Sequence, residues 1–236
     1  PLLTYNKAGD GRAIVLLHGF PESRKLWDRL VPSLTSHFKV IVPDIPGSGE
    51  SVFKGDEVSM EQLAESVALV LEHEHIEEVV IAGHSMGGYV ALAFAERYKQ
   101  KVKGLCLVHS NASADDDAKK VLRRKSIELI KKGGREAFIW QMIPNLFSGA
   151  FKTQHPELLE ANISEGLKLE GRSLIAFYNA MINRPDRLRI LENAAFPVQW
   201  LAGKEDTIAP PSKMLQQSML ASVNFVSVYP GVAYMG

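Results

Sequence analysis

The sequence predicts an α/β fold: a mostly parallel β-sheet flanked by helices, with a helical cap inserted into the second half of the chain. Three observations support this prediction. Short aliphatic runs, several of them apolar on both faces, alternate with amphipathic segments, as in parallel sheets covered by helices on both sides. A glycine-rich turn carrying a serine joins one such run to a helical segment. Residues 112–193 show no convincing strand pattern.

Six segments are predicted strands because they are short, aliphatic and rich in β-branched residues. The clearest helix covers residues 59–75, where an apolar stripe repeats at helical spacing. Ser59, with Gln62 three residues later, predicts a capping box at its start. The strand–helix–strand alternation predicts right-handed parallel crossovers. The predicted strands are residues 13–17, 38–42, 78–82, 102–108, 198–201 and 223–228.

Residues 112–193 predict a helical cap, whereas residues 1–111 and 194–236 form the predicted core. Helices are expected at 115–132, 135–143, 156–169 and 172–183, separated by glycines and prolines. We expect this cap to cover one edge of the sheet, with the largest apolar cavity beneath it. About half of the large apolar side chains of the cap should only pack it on the sheet, and the rest should line that cavity. These side chains are Phe138, Trp140, Met142, Phe147, Phe177 and Met181.

The composition argues against several classes of partner. The chain has 27 basic and 27 acidic residues and no formal net charge, so neither nucleic acid nor an anionic membrane is an expected partner. Cys106 is the only cysteine, so no internal disulfide can form. The sequence shows neither a signal-peptide pattern nor an apolar run of about 20 residues. We therefore expect a cytoplasmic protein that acts on a small molecule, and the oligomeric state is left open.

The segment Gly83-His84-Ser85-Met86-Gly87 has the pattern G-x-S-x-G between a predicted strand and a predicted helix. In such a turn the flanking positions must be small, and the strained serine backbone projects its hydroxyl above the sheet. The helix start offers free N–H groups, that of Met86 among them, to a developing oxyanion. The alternative is an incidental serine in a common glycine-rich turn. The strand before it and the helix after it favour Ser85 as a nucleophile.

Three further loops follow predicted strands. Residues 18–21 can supply a second oxyanion donor, the backbone N–H of Phe20. Residues 44–51 are rich in glycine but lack the patterns of nucleotide-binding loops, so Asp44 is expected to tie this loop with hydrogen bonds. Asp206 follows the strand at 198–201, where parallel α/β sheets gather their sites, and is expected to orient a catalytic base. The alternative for Asp206 is a turn aspartate that caps the next helix.

These motifs, in this order, resemble the α/β-hydrolase superfamily, most closely its small, lidded esterase and haloperoxidase-like branch. Residues 18–21 resemble the family's oxyanion loop, 44–51 its D-x-x-G-x-G-x-S loop, 83–88 its nucleophile elbow and 203–206 its acid turn. The resemblance implies hydrolysis of a small carboxylic ester or related acyl substrate by a serine–histidine–aspartate triad, without a cofactor or a metal. It also implies a final helix beyond residue 236. Serine at the elbow argues against haloalkane dehalogenases and epoxide hydrolases, which carry aspartate there.

One position departs from the family pattern. The family's histidine follows the last strand in a G-x-x-H turn, and this chain has Tyr234 at that position. A phenol with a pKa near 10 is a poor general base at neutral pH, so activity should be impaired. Four explanations are open. The tyrosine is an engineered inactivation, a natural feature of a non-catalytic protein, or the result of a sequencing or register error. Alternatively, another histidine acts as the general base. His109, which follows the strand at 102–108, is the best placed for that role.

Two other functions remain compatible with these residues. One is a non-catalytic small-molecule-binding protein on the same fold, and the other is a cofactor-free perhydrolase, which uses the same triad. A metal site is also conceivable at residues 72–75, where two glutamates alternate with two histidines. A solvated helix end is the better interpretation of that segment.

Overall fold

The computed structural model describes residues 2–235. Within that range a central sheet contains β1 (Tyr5–Ala8), β2 (Arg12–Leu17), β3 (Phe38–Pro43), β4 (Val79–His84), β5 (Val102–Val108), β6 (Val198–Gly203) and β7 (Asn224–Tyr229).

The strand order is β1-β3-β2-β4-β5-β6-β7. β1 is antiparallel to β3, and every other neighbouring pair in this sheet is parallel. β4 therefore lies near the middle of the sheet, and its carboxyl end opens between those of β2 and β5. The α/β fold with a mostly parallel sheet is confirmed.

All six predicted strands are present, and their ends differ from the predicted ones by at most two residues. β1 was not predicted because it is short and has exposed polar residues at its centre, Asn6 and Lys7. Such an edge strand carries almost no apolar signal, and its antiparallel partner β3 lies more than 30 residues away in the chain.

Helices cover the sheet, beginning with α1 (Val31–Leu34), α2 (Met60–His73) and α3 (Met86–Arg97). α2 has the predicted capping box, in which the Ser59 side chain accepts from the Gln62 N–H and the Gln62 side chain accepts from the Ser59 N–H. α3 is buried almost throughout because it crosses the centre of the sheet behind the turn that follows β4. After β6, α10 (Pro211–Ser218) leads to β7.

The chain between β5 and β6 is helical. It contains α4 (Asp117–Lys131), α5 (Arg135–Met142), α6 (Gly149–Gln154), α7 (Pro156–Lys168), α8 (Gly171–Asn183) and α9 (Leu188–Glu192). α4, α5, α7 and α8 match the four predicted helices, while α6 and α9 are short additions. We call residues 112–193 the helical insertion, and its division from the core as a cap domain remains a prediction.

The helical insertion shares its apolar core with the sheet. Trp200 on β6, Phe94 on α3 and Phe177 on α8 are all at most 1% exposed and belong to one cluster of buried side chains. Burial of this apolar surface is the main force that fixes the insertion on the sheet. Among the described residues, no helix combines the length and the apolar character needed to cross a bilayer.

Candidate active site

Ser85 lies in the tight turn between β4 and α3. Its backbone has φ 52° and ψ −117°, a conformation that non-glycine residues rarely adopt. A Cβ atom added to Gly83 would meet the backbone of Gly87, and one added to Gly87 would meet the carbonyl oxygens of Leu17 and His18, so both positions admit only glycine. The Ser85 N–H donates to the Val108 carbonyl at 2.9 Å, and the Ser110 hydroxyl donates to the Ser85 carbonyl at 2.8 Å. These contacts hold the strained turn in place.

The Tyr234 hydroxyl donates a hydrogen bond to Ser85 Oγ. The two side chains come together although they are 149 residues apart, and both are buried. Burial, reinforced by the nearby Tyr89, Glu22 and Asp206, raises the pKa of the Tyr234 phenol well above its usual 10. The phenol therefore stays protonated at neutral pH and acts as a donor to the serine.

Asp206 is buried with both of its carboxylate oxygens engaged. One oxygen accepts from the N–H groups of Ile208 and Ala209, each at 2.8 Å. The other accepts from His109 Nδ1 at 2.8 Å. The His109 ring centre lies 5.7 Å from that of Tyr234, so His109 and Tyr234 are neighbours beside the serine. The backbone of His109, directly after β5, has φ 47°.

A buried carboxylate–imidazole pair, Glu22 and His84, lies beneath Tyr234. Glu22 Oε2 accepts from His84 Nδ1 at 3.1 Å and from the Gly19 N–H at 2.7 Å. His84 Nε2 is 3.3 Å from the Tyr234 carbonyl oxygen. Burial, the largest single cause, lowers the pKa of His84, but the charge and hydrogen bond of Glu22, the Tyr234 carbonyl and the charge of Asp206 together outweigh it, and the net pKa is raised. Acceptors therefore lie near both ring nitrogens, an arrangement that favours the protonated form of the imidazole.

The loop after β2 lies against the serine. A Cβ atom added to Gly19 would come within 3.0 Å of Ser85 Cβ, which shows how closely the backbone approaches. Within residues 2–235, neither the Phe20 N–H nor the Met86 N–H donates to a protein acceptor. These are the two amides predicted to form an oxyanion hole, and that role remains a prediction. His18 fixes the loop from below, since its Nε2 accepts from the Ile45 N–H at 3.0 Å.

Asp44 ties the neighbouring loop together, as predicted. Its buried carboxylate accepts from the Arg24 N–H at 2.8 Å and from the Glu50 N–H at 2.9 Å, and it pairs with the Arg24 guanidinium.

At the predicted helix end around residues 72–75, Glu74 accepts from the Tyr5 hydroxyl at 2.7 Å and from Lys7 Nζ at 2.8 Å. The Lys7 hydrogen bond is the largest cause that lowers the pKa of Glu74 to about 2.

Ser85 opens into a cavity of about 240 Å³ between the sheet and the helical insertion. A larger cavity of about 630 Å³ lies beside it, lined by Phe147 and Phe151 of the insertion and by Leu26 of the core among others, so it too lies between the insertion and the core. The Phe20 and Tyr178 rings pack with centres 4.6 Å apart and fill space above the serine. The smaller cavity is lined by Phe20, Ser85, Tyr89, Lys119, Leu122, Arg123, Ser126, Met142, Leu146, Tyr178, Met181, Ile208, Ala209 and Tyr234.

The predicted lining residues of the insertion divide as expected between lining and packing. Met142 and Met181 line the Ser85 cavity. Phe138 and Phe177 are buried against Phe20, with ring centres 6.3 Å away in each case. Trp140 is 56% exposed and lines neither of these two cavities.

Comparison with known proteins places this architecture. The family model for the alpha/beta hydrolase fold matches residues 12–126. A thermophilic esterase from Thermogutta terrifontis, solved with malate bound, is 32% identical and superposes with a TM-score of 0.93 over 99% of this chain and 86% of that one. The chain belongs to the α/β-hydrolase family.

Curated relatives of this α/β-hydrolase are more distant. An uncharacterized protein of Mycobacterium tuberculosis is 29% identical, with 86% of this chain and 64% of that protein covered. The pimeloyl-[acyl-carrier protein] methyl ester esterase of Neisseria meningitidis is 26% identical, with 85% and 64% covered. The chain thus spans about 64% of the length of these relatives. Esterases are among the proteins that this chain resembles.

The structure brings Ser85, Tyr234 and Asp206 to one region of the α/β-hydrolase, as sequence motifs predicted, while leaving their roles to be tested. Two contacts at this site were not predicted: the pairing of His109 with Asp206 and that of Glu22 with His84. The sequence offered two signals for them: Glu22 directly follows the 18–21 loop, and His109 follows the strand at 102–108.

Proposed function

We propose that this α/β-hydrolase is a serine hydrolase for small carboxylic esters in which Tyr234 occupies the proton-transfer position and slows turnover. The observation that carries the proposal is the hydrogen bond from the Tyr234 hydroxyl to Ser85 Oγ. It identifies residue 234 as the side chain that faces the hydroxyl of a serine held in a strained elbow. In a serine hydrolase the general base occupies that place.

Each role follows from position. Ser85 attacks the ester carbonyl, and the free N–H groups of Phe20 and Met86 stabilise the oxyanion, the latter at the start of α3 where the helix dipole adds to the effect. Asp206 supplies the carboxylate that orients a base. The cavity is largely apolar and smaller than the roughly 300–1,000 Å³ of sites for drug-sized ligands, which favours a short substrate.

Tyr234 makes the attack slow for two reasons. Its hydroxyl is hydrogen-bonded to Ser85 Oγ as a donor, and a neutral phenol is far too weak a base to take up the serine proton. Its raised pKa prevents the phenolate from forming near neutral pH. The oxyanion donors do not depend on Tyr234, so weak turnover should remain.

We assign the helical insertion the role of a cap over the active site. α4, α5 and α8 contribute side chains to the Ser85 cavity, among them Leu122, Met142 and Met181. The insertion therefore sets the shape of the space that the substrate occupies above the serine.

A second candidate is a non-catalytic small-molecule-binding protein. The contact that blocks proton transfer also favours this function, since a protonated phenol and a serine hydroxyl together form a polar site at the end of an apolar cavity. The two candidates differ in whether a histidine at residue 234 is sufficient to produce an active esterase.

The test is a panel of short-chain esters measured on the chain as it stands and on Tyr234→His. We expect slow hydrolysis by the former and a large rise in kcat/KM for the latter. Ser85→Ala in the Tyr234→His background should remove the gain, and a serine-directed phosphonate should label only proteins that keep Ser85. A folded Tyr234→His protein that binds esters without hydrolysing them would favour the binding function.

A further inference from the structure

One face of α4 forms a wall of the Ser85 cavity. Lys119, Leu122, Arg123 and Ser126 are three, four and seven residues apart and therefore lie on the same side of the helix. All four line the cavity. Lys119 and Arg123 are the charged side chains of that lining, and no acidic side chain belongs to it.

The positive charge of this wall is only partly neutralised. Asp115 accepts from Arg123 Nε at 2.6 Å, but it also lies 2.9 Å from Arg184 Nη1, so two arginines share one carboxylate. Within residues 2–235 the terminal nitrogens of Arg123 have no acceptor, and Lys119 Nζ pairs with no carboxylate. The one polar contact of the Lys119 ammonium with the described part of the chain is long, 3.5 Å to the Ile208 carbonyl oxygen.

A neighbouring phenol responds to this charge. Tyr89 lines the cavity, and the Arg184 guanidinium lies 3.8 Å from its ring centre. Burial by itself raises the pKa of Tyr89, but Arg184, Lys119 and Arg123 outweigh it and the net pKa is lowered. This end of an otherwise apolar cavity therefore has a positive potential, which would stabilise an anionic group.

We propose that Lys119 and Arg123 bind a carboxylate carried by the substrate, so that the preferred substrate is a short half-ester of a dicarboxylic acid. This inference rests on the proposed function and specifies its substrate class. The ester carbonyl lies at Ser85, an apolar spacer fills the cavity, and the free carboxylate meets the α4 wall. An arginine fork and a lysine ammonium both form charge-assisted hydrogen bonds to a carboxylate.

The binding test uses the full chain with Ser85→Ala, so that no ester is consumed. Calorimetry compares monomethyl glutarate with its isosteric terminal carboxamide, which lacks the charge. We expect the carboxylate to bind about tenfold more tightly at low salt. Lys119→Gln or Arg123→Gln should reduce that preference to near unity. Lys120→Gln and Arg124→Gln remove the same charge from side chains that do not line the cavity and should leave the preference intact.

Arg123→Gln also removes a partner of the buried Asp115, so Lys119→Gln carries the test if the Arg123 variant fails to fold. Equal binding of the two ligands, or equal effects of the Lys119 and Lys120 variants, would overturn the inference.

Hydrolysis of the same two esters by Tyr234→His separates this inference from the proposed function. Turnover of both esters at equal kcat/KM would support the esterase function and refute the carboxylate preference. Selective binding without any turnover would support the carboxylate site and refute the esterase function. A preference for the half-ester in both binding and kcat/KM, lost in Lys119→Gln, would support both.

Discussion

Replacing Tyr234 by histidine tests the proposed mechanism most directly. The Tyr234 hydroxyl already contacts Ser85 Oγ, so a side chain at this position is aimed at the nucleophile. An imidazole there can accept the serine proton, which the phenol, with its raised pKa, does not do near neutral pH. The change leaves the backbone N–H groups of Phe20 and Met86 in place.

The expected gain depends on what Asp206 does. Loss of the histidine from a serine triad costs about 10⁶ in kcat, which is the upper limit of the gain. In this structure His109 already occupies one oxygen of Asp206 at 2.8 Å. Loss of the orienting carboxylate lowers kcat about 10⁴-fold in a serine protease. If His109 stays hydrogen-bonded to Asp206, the new imidazole lacks an orienting carboxylate. The net gain in kcat then falls to about 10².

The assay is kcat/KM on a short-chain aryl ester, with thermal melts to confirm folding. Tyr234→His is compared with Tyr234→His/His109→Asn, in which Asp206 is released to the new imidazole. Asparagine suits the replacement because the backbone at 109 has φ 47°, a region that it tolerates. We expect kcat/KM to rise about 10²-fold in the single variant and to rise further in the double variant.

Two results would refute this reasoning. Equal rates for the starting chain and a folded Tyr234→His protein would show that residue 234 is not the position of the base. Loss of the weak activity of the starting chain in His109→Asn alone would show that His109 supplies the base instead.

Three further predictions concern the fold around the site. Gly87→Ala should lower the free energy of unfolding by at least about 3 kcal/mol in urea titrations, because the added Cβ would meet the backbone carbonyl oxygens of Leu17 and His18. An unchanged urea midpoint would contradict the close approach of these oxygens to Gly87. Asp44→Ala should cost about 3 kcal/mol in the same assay because it leaves the Arg24 and Glu50 N–H groups without their buried acceptor. The exposed Asp56→Ala should be nearly neutral. Burial raises the pKa of Tyr178 to about 12, so between pH 10 and 12 the unfolded chain loses this proton while the folded one keeps it. Melting temperatures should therefore fall as pH rises from 10 to 12, and they should fall less steeply in Tyr178→Phe.

The strands and the elbow were predictable because their signals are local. Each of the six predicted strands is an aliphatic run whose period and length differ from those of a helix. Ser85 was predictable because only glycine fits at Gly83 and Gly87, and this steric requirement produces the local motif G-x-S-x-G. The role of position 234 was inferred only from the resemblance to the family, whose G-x-x-H turn follows the last strand.

The partners of these residues were decided by tertiary structure alone. Parallel strands bring their carboxyl ends to one edge of the sheet, so the sequence by itself determined that Ser85 and Asp206 would lie in the same region. Which polar group contacts which depends on packing between elements distant in the chain: His109 meets Asp206 across 97 residues, and Glu22 meets His84 across 62. Nor does any local pattern show that Lys119 and Arg123 of α4 face the cavity while Lys120 and Arg124 do not. The orientation of that helix is set by the apolar core it shares with the sheet.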